Sequence, residues 1–309
     1  MAFTAADVKS LREKTGAGMM DCKRALAETD GDFELALNNL RERGLAAAAK
    51  KAGRITAEGV VLAYQEGGVS VLVEVNSETD FVGKNPEFQA FVLDIAKTIA
   101  VEDPADVEAL SALKLNGSGR TVEETRQDKI LSIGENLSIR RFARIAGNPV
   151  TSYIHMGGAV GVLAEFSTGA DISSEAFKEI GKNIAMQVAA MSPLYLSRES
   201  VPAGELEEKK KEFLEQLAED PKMAGKPEKV LEGVIRGRMD KYLAESCLME
   251  QAYIKAEGKE LVKDYLADAV KALGADVEIA SFVRYAKGEN MQKRVDDFAA
   301  EVAKATGQL

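Results

Sequence analysis

The sequence predicts an α+β fold in which an all-helical N-terminal region precedes two related α+β units. Three observations support this class: apolar residues have helical spacing up to about residue 54, β-rich runs begin soon after it, and a pattern of strand, glycine turn and helix occurs twice. The predicted divisions are 1–54 for the helical module, 55–140 for the first core subdomain and 141–309 for the second.

Three short helices are predicted in the N-terminal module. Thr4 and Asp7 have the spacing of a capping box, so the first helix begins there. The glycines of Thr15–Gly18 end it, and a second and a third helix follow, the third of which we expect to end at Gly44. Residues 46–51 are small and basic, which is typical of a helical or flexible linker.

The first core subdomain begins with a predicted β-hairpin. Val60–Tyr64 and Val69–Val75 are β-rich runs on either side of a glycine turn. A polar loop over Asn76–Pro86 follows, and the next apolar residues have helical spacing: Phe88, Phe91, Val92, Ile95 and Ile99. This order of strands, loop and helix is typical of an α+β unit.

The second core subdomain repeats this pattern. Val71–Val75 corresponds to Val162–Phe166, and Ile95–Ala100 corresponds to Ile180–Ala185. The two echoes come in the same order along the chain, which favours a duplication over chance similarity.

A helical hairpin is predicted as an insertion over about 203–245. Its two apolar stripes are Leu206, Phe213, Leu214 and Leu217, then Val230, Leu231, Val234, Ile235, Tyr242 and Leu243. Between them lies Asp220–Pro227, whose prolines and glycine cannot continue a helix, so the two helices pack antiparallel as a coiled coil. The stripes are compatible both with a hairpin folded onto its own domain and with a free-standing partner surface.

A C-terminal helical module is predicted over about 259–309. Leu261–Leu273 has helical spacing, and Val277–Tyr285 is β-rich and suits an added strand. A last helix is marked by Val295, Phe298 and Val302.

The composition excludes several classes of function. Acidic residues outnumber basic ones, 50 to 40, and the net charge of -10 argues against direct nucleic-acid binding. Cys22 and Cys247 make neither a disulfide framework nor a thiolate zinc cluster, and the single histidine, His155, excludes a multi-histidine metal site. No phosphate-binding P-loop, secretory leader or membrane-length apolar run is visible. We therefore expect a cytoplasmic protein without a cofactor.

The polar segment Asn76–Asn85 contains candidate functional residues. It follows a β-run and precedes a capped helix, so its tip is expected at the surface. Phe81 is either a plug that packs the loop onto its own domain or a hydrophobic wedge that projects from it. Composition favours the plug, because aromatic residues in loops commonly anchor their own loop.

Two long segments resemble the bacterial translation elongation factor Ts family. Thr79-Asp80-Phe81-Val82 after a Val-Glu-Val-Asn strand is similar to the hallmark of that family, and residues 9–26 resemble its N-terminal module. Tyr153–His155, Gly237–Met239 and Phe282–Tyr285 are similar to its later segments, in the same order along the chain.

The resemblance implies a guanine-nucleotide exchange factor, which is not an enzyme, for elongation factor Tu. It implies a ubiquitin-associated-like bundle at the N-terminus, two related core subdomains, the coiled-coil hairpin and the C-terminal module. In the family, the Asp and Phe of the hallmark intrude near the nucleotide of the partner and disturb its magnesium site. Carried over to this chain, those residues are Asp80 and Phe81, flanked by Thr79 and Val82.

The resemblance also implies two further partner surfaces. Met19 and Met20 would contact the nucleotide-binding domain of elongation factor Tu, and His155 would contact its third domain. The partner would bind both with GDP and without nucleotide. The outer stripe of the hairpin would allow a homodimer or a 2:2 complex, and no membrane is involved.

Two other classes of function remain open. A ubiquitin-associated-like bundle suits a protein-interaction adaptor that binds through Met19 and Met20 and affects no nucleotide. An enzyme would need a site built from carboxylates such as Glu74, Asp80 and Glu165, and the sequence offers no nucleophile and base beside them.

Overall fold

The computed structural model describes residues 3–15, 17–221, 223 and 226–292. Helices and strands are mixed, as an α+β fold requires. The helices are α1 (Ala5–Thr15), α2 (Met19–Glu28), α3 (Phe33–Lys51), α4 (Asp80–Gly83), α5 (Pro86–Glu102), α6 (Val107–Ala112), α7 (Val122–Ile133), α8 (Glu175–Met191), α9 (Ala203–Glu219), α10 (Glu228–Ser246) and α11 (Val262–Leu273). The strands are β1 (Glu58–Glu66), β2 (Val69–Ser77), β3 (Leu137–Ala146), β4 (Val150–His155), β5 (Val160–Thr168) and β6 (Val277–Ala286).

The contacts among the described residues divide the chain into two compact units. The first unit contains the residues up to Arg144, Met156–Val160 and the segment from Tyr285 onward. The second contains Ile145–His155 and Gly161–Arg284. The three-part division of the sequence stays a prediction, and these contacts differ from it in grouping the segment after Arg284 with the first unit.

The first three helices form a bundle with its own core. Asp7 accepts a hydrogen bond from the Thr4 backbone N–H at 2.7 Å and donates its own N–H to the Thr4 hydroxyl, so the predicted capping box is confirmed. Asp32 caps α3 by accepting from the Leu35 N–H at 2.9 Å. The largest fully buried side chains of this core are Leu11, Leu26 and Leu40.

The third helix does not end at Gly44, as the sequence led us to expect, but continues to Lys51. Gly44 is buried, and a Cβ there would lie 3.6 Å from the carbonyl oxygen of Gln127, so α3 approaches α7 closely at this point. Packing on α7 and the alanines that follow offset the roughly 1 kcal/mol that a glycine costs inside a helix. The segment 46–51 is therefore helical.

The first sheet has the strand order β1-β2-β3. β1 and β2 are antiparallel, with Val60 opposite Val75, and Gly67 and Gly68 take positive φ in the turn that joins them. This confirms the predicted hairpin. α5 covers β1 and β2 and buries all five of its predicted apolar positions.

The second sheet, β4-β5-β6, contains the repeated pattern. β2 and β5 are each nine residues long, and Val71–Val75 and Val162–Phe166 take the same places in them. α5 and α8 are each 17 residues long and end in a left-handed cap. Counted from the helix starts, Ile95 matches Ile184, four residues from the predicted pairing. Because residues four apart share one helix face, the sequence pattern hides this shift.

The predicted helical hairpin is present as α9 and α10, which pack on each other. The Tyr242 hydroxyl near the end of α10 donates to Glu205 near the start of α9 at 2.8 Å, so the helices are antiparallel. Leu217 and Ile235 are buried, and α10 also packs on the short turn Leu248–Glu250 at its base. The free-standing hairpin, the hairpin folded onto its domain and the coiled coil all stay predictions.

The C-terminal part of the chain contains α11 and β6, which confirms the predicted helix and the added strand. The predicted last helix, with Val295, Phe298 and Val302, lies outside the described residues, as do Gly16 and Gly225 of the two predicted turns. Within the part of the chain that the structure describes, none of the helices is both long and apolar enough to cross a membrane.

Candidate functional site

The candidate motif Thr79–Val82 lies just after β2 in the first unit. β2 ends at Ser77, and the motif runs into the one-turn helix α4. Asn85 then caps α5, because its side-chain oxygen accepts from the Glu87 N–H at 2.8 Å. The predicted polar loop therefore contains a helical turn and is fixed at both ends by regular structure.

Val82 and Gly83 anchor this turn to β1. Val82 is only 7% exposed and belongs to the core of the first unit. A Cβ on Gly83 would lie 2.5 Å from the carbonyl oxygen of Gly59, so the backbones of α4 and β1 touch there. In the isolated chain Val82 therefore holds the motif in place instead of forming part of its surface.

Phe81 is 79% exposed. Successive residues in a helical turn point about 100° apart, so the burial of Val82 directs the side chain of Phe81 away from the core. The interpretation of Phe81 as a plug was wrong. An exposed aromatic ring on an anchored turn has the geometry of the projecting wedge.

The neighbouring Asp80 forms an ion pair with Lys84. The Lys84 ammonium lies 2.6 Å from Oδ2 of Asp80, and both side chains are exposed to solvent. The hydrogen bond from Lys84 holds the pKa of the Asp80 carboxyl below its ordinary value. Asp80 is therefore a carboxylate at neutral pH, available as a negative charge or as a hydrogen-bond acceptor.

Thr79 is held by Glu135, a residue that the sequence analysis missed. Oε1 of Glu135 accepts from the Thr79 hydroxyl at 2.7 Å, and Oε2 accepts from the Thr79 N–H at 3.0 Å. Glu135 follows Gly134, the left-handed cap of α7, and is 56 residues from Thr79 in the chain. The periodicity of the sequence carries no signal that relates these two positions.

Met19 and Met20 lie at the start of α2 and are 48% and 67% exposed. Their helix turns its small and apolar residues inward, because Cys22, Ala25 and Leu26 are buried. The two methionines therefore form an apolar surface on the bundle. α2 packs on α1 and α3, whereas the motif's helix α4 packs on β1, β2 and α5.

His155 lies in the second unit, at the end of β4, and is exposed. Its Nδ1 is 3.0 Å from the hydroxyl of Tyr153, and the ring centroids are 5.9 Å apart. The imidazole is thus oriented by a neighbour on the same strand and is exposed to solvent.

Glu74, one of the three carboxylates considered for an enzyme, is fully buried and ion-paired. Its oxygens lie 3.0 Å from Nη1 of Arg140 and 2.7 Å from Nε of Arg141, and it accepts from the Gly288 N–H at 2.8 Å. Although burial alone would raise the pKa of Glu74, the hydrogen bonds from Gly288, Asn76 and the arginines hold it below its ordinary value. This carboxylate ties β2, β3 and the segment after β6 together.

The other two carboxylates also have partners. Glu165 takes the place in β5 that Glu74 has in β2, and it accepts from the side chains of Asn148 and Ser281. Asp80 is paired with Lys84, as described above. Among the described residues, no group of three or more histidines, cysteines or carboxylates could hold a metal ion.

Comparison with known proteins assigns the chain to a family. The model of the family described as Elongation factor TS matches residues 78–289, which is more than half of the chain. The chain belongs to this family. It is 47% identical over 308 residues to Elongation factor Ts of Syntrophotalea carbinolica, and the aligned region covers 99% of this chain and 100% of that protein. Elongation factor Ts of Clostridium kluyveri is 46% identical over 98% of both chains, and that of Magnetococcus marinus is 44% identical over 98% of this chain and 99% of its own.

The resemblance to elongation factor Ts inferred from the motifs is thus confirmed. Membership places the chain among the elongation factors of protein biosynthesis. The matched range includes Thr79–Val82 and His155, whereas Met19 and Met20 precede it and fall within the nearly full-length similarity to the elongation factor Ts relatives.

Proposed function

We propose that this chain is a guanine-nucleotide exchange factor that binds elongation factor Tu carrying GDP and promotes the replacement of GDP by GTP. Membership of the elongation factor Ts family supports the reaction. The observation that carries the mechanism is the exposure of Phe81 on a turn anchored by Val82. In this role the chain acts in the cytoplasm, catalyses no covalent reaction and needs no cofactor.

Phe81 and Asp80 are the residues that enter the partner near its nucleotide and magnesium site. A G protein holds its nucleotide through Mg²⁺ and backbone N–H groups, which together neutralise the phosphates. An inserted ring favours a shape of the partner in which those groups no longer fit GDP. GDP and this chain both bind elongation factor Tu, and their binding is reciprocally coupled. The chain therefore weakens the binding of GDP by the same factor as GDP weakens the binding of the chain.

Asp80 contributes charge to this step. Lys84 holds the Asp80 carboxylate in the isolated chain, so insertion exchanges that exposed ion pair for contacts with the partner. An exposed ion pair is worth at most about 1 kcal/mol, so the exchange costs little. The carboxylate then repels phosphate or accepts a hydrogen bond, and it does not need to bind the metal.

The wedge cannot supply all of the coupling. Burial of Phe81 is worth about 1.5–3 kcal/mol, and each tenfold weakening of GDP requires about 1.4 kcal/mol. Met19 and Met20 on the bundle and His155 at the end of β4 are therefore proposed as the additional partner contacts. A homodimer or a 2:2 complex through the hairpin fits the same scheme.

The second candidate function is a protein-interaction adaptor. The exposure of Met19 and Met20 favours it, because two adjacent exposed methionines give the bundle an apolar binding surface. An adaptor would bind its target equally well whether or not nucleotide is present.

The affinity of the chain for elongation factor Tu separates the two functions. We expect the chain to bind nucleotide-free elongation factor Tu at least about a hundredfold more tightly than the GDP-bound form, as isothermal titration with and without excess GDP would measure. Equal affinities for the two forms would contradict the exchange function and support the adaptor.

A further inference from the structure

We propose that Glu135 is a positioning residue for nucleotide exchange: it holds the turn that presents Asp80 and Phe81 in the orientation that enters the partner. The inference rests on the proposed exchange function and goes beyond it, because Glu135 lies outside the motif. Its basis is a hydrogen-bond network among three chain segments of the first unit: Arg54, residues 78–79 and residues 135–136.

The carboxylate of Glu135 binds the start of the motif at three points. Oε2 accepts from the backbone N–H groups of Glu78, at 3.1 Å, and of Thr79, at 3.0 Å. Oε1 accepts from the Thr79 hydroxyl at 2.7 Å. Amide groups that precede a helical turn have no partner within it, so this carboxylate satisfies donors that water would otherwise take.

The carboxylate of Glu78 makes a similar bond in the opposite direction, to the segment that contains Glu135. Oε1 of Glu78 accepts from the backbone N–H of Asn136 at 2.6 Å, next to Glu135 in the chain. The segments 78–79 and 135–136 are therefore joined by reciprocal side-chain to backbone bonds. Hydrogen bonds that involve an ionised group are about twice as strong as neutral ones, so this pair of contacts is well suited to fix a turn.

Arg54 connects the network to the end of the N-terminal bundle. Its Nη1 lies 3.3 and 3.4 Å from the two oxygens of Glu78, and its carbonyl accepts from the Asn136 side-chain amide at 3.3 Å. Arg54 comes three residues after α3 ends at Lys51. Arg54 thus contacts the carboxylate of Glu78 and the side chain of Asn136, the residues next to Thr79 and Glu135.

The network fixes the second end of the turn that carries Phe81, so that the turn is held on both sides of this residue. Val82 and Gly83 hold the turn on its C-terminal side, through the core and through Gly59, and Glu135 holds its N-terminal side. The ring itself is 79% exposed, so its own packing contributes little to holding the turn in place. A side chain held in its bound orientation loses less entropy on binding, which is the advantage of preorganisation.

The test compares Glu135→Gln with Glu123→Gln, a matched control. Glu123 is a carboxylate on α7 whose two oxygens each lie 2.7 Å from Arg126, so the control likewise replaces a hydrogen-bonded carboxylate by its neutral amide, but one whose bonds go to Arg126 within its own helix. The rate of GDP release from elongation factor Tu is measured against concentration of the chain. We expect Glu135→Gln to lower the maximal rate of GDP release by about tenfold. The half-saturating concentration of the chain should change by less than about twofold, and Glu123→Gln should change neither quantity.

A double-mutant cycle with Phe81→Ala shows whether Glu135 acts through the ring. Glu135→Gln should reduce the rate further by less than about twofold when Phe81 is already alanine. Hydrogen exchange of the isolated chain should rise at the amides of residues 79–84 in Glu135→Gln, while the thermal unfolding temperature stays within a few degrees, which separates loss of position from loss of fold.

The outcomes distinguish this inference from the function on which it rests. If the unchanged chain fails to accelerate GDP release, the exchange function is wrong and the positioning role with it. If the unchanged chain accelerates release and Glu135→Gln matches it, or if Glu135→Gln acts by the same factor with and without Phe81, only the positioning role is overturned.

Discussion

Phe81 and Val82 are neighbours in the sequence and opposite in exposure. Val82 is 7% exposed and Phe81 is 79% exposed, although both are strongly apolar. Exposing an aromatic ring to water is unfavourable, so the chain gains from the ring only when a partner covers it. In the motif, Val82 is therefore the buried anchor and Phe81 is the exposed candidate contact.

We predict that Phe81→Ala slows GDP release well before it abolishes the complex. Loss of the ring removes about 1.5–3 kcal/mol of burial in the complex, so the maximal release rate should fall by roughly ten- to a hundredfold. Stopped-flow fluorescence of labelled GDP on elongation factor Tu measures this rate. The control is Val101→Ala, which truncates another exposed apolar side chain, 71% exposed at the end of α5. An equal rate for the two variants would contradict the wedge.

We predict that Glu74→Gln destabilises the chain by about 3 kcal/mol, because it leaves two partly buried arginines without the buried anion that pairs with them. Urea unfolding at pH 7 measures the change. The control is Glu165→Gln, at the same place in β5, where the partners are neutral and the expected cost is below about 1.5 kcal/mol. Equal losses for the two variants would show that the ion pairs contribute nothing of their own.

Glu74→Gln also has a predicted effect on the pH dependence of stability. The pKa of Glu74 is lowered in the folded chain from its ordinary value of 4.5. Its stabilisation is therefore complete above that value and is lost as the pH falls through the lower, folded-state pKa. In the unchanged chain the free energy of unfolding should fall with acidification below about pH 4.5, and Glu74→Gln should reduce this slope. An unchanged slope would contradict the assignment.

Periodicity predicted most helices and strands, and it failed where tertiary contacts decided the outcome. The apolar spacing of Phe88–Ile99 and the glycines at 67 and 68 gave α5 and the β1–β2 turn correctly. Gly44 predicted the end of a helix, yet α3 continues beyond Gly44 to Lys51, where it packs on α7. Local pattern describes one segment at a time, so it cannot report which other segment will cover a glycine.

The candidate site shows the same limit more sharply. The motif was recognised from its spelling, but composition alone assigned Phe81 to the interior of its own domain, which was wrong. Glu135 was not found at all, because its three hydrogen bonds to the motif cross 56 or 57 residues of chain. Contacts of such long range are fixed by the fold and leave no local signature.

The helices α9 and α10 pack on each other, and α10 also packs on the turn Leu248–Glu250. We predict that Leu217→Ala, which empties a buried position of α9, raises hydrogen exchange throughout α9 and α10 while the unfolding temperature of the rest of the chain changes little. Leu214→Ala is the control, because Leu214 lies on the same helix and is 46% exposed. A global loss of stability from Leu217→Ala would show that the hairpin is part of a larger cooperative unit.

The candidate contacts are spread over both units of the molecule. Met19, Met20 and the motif belong to the first unit and His155 to the second. Such a distribution suits recognition of a large partner at several places, in which each contact supplies part of the coupling energy.

The exchange function is tested most plainly by the release of a fluorescent GDP analogue from elongation factor Tu. The chain is added at about one molecule for every fifty of elongation factor Tu, and association is fast enough for this amount to act on all of the loaded elongation factor Tu. We predict that all of the bound analogue leaves at a strongly raised rate, because each molecule of the chain acts on many partners in succession. An unchanged rate, or release of only one equivalent of nucleotide for each molecule of the chain, would contradict it.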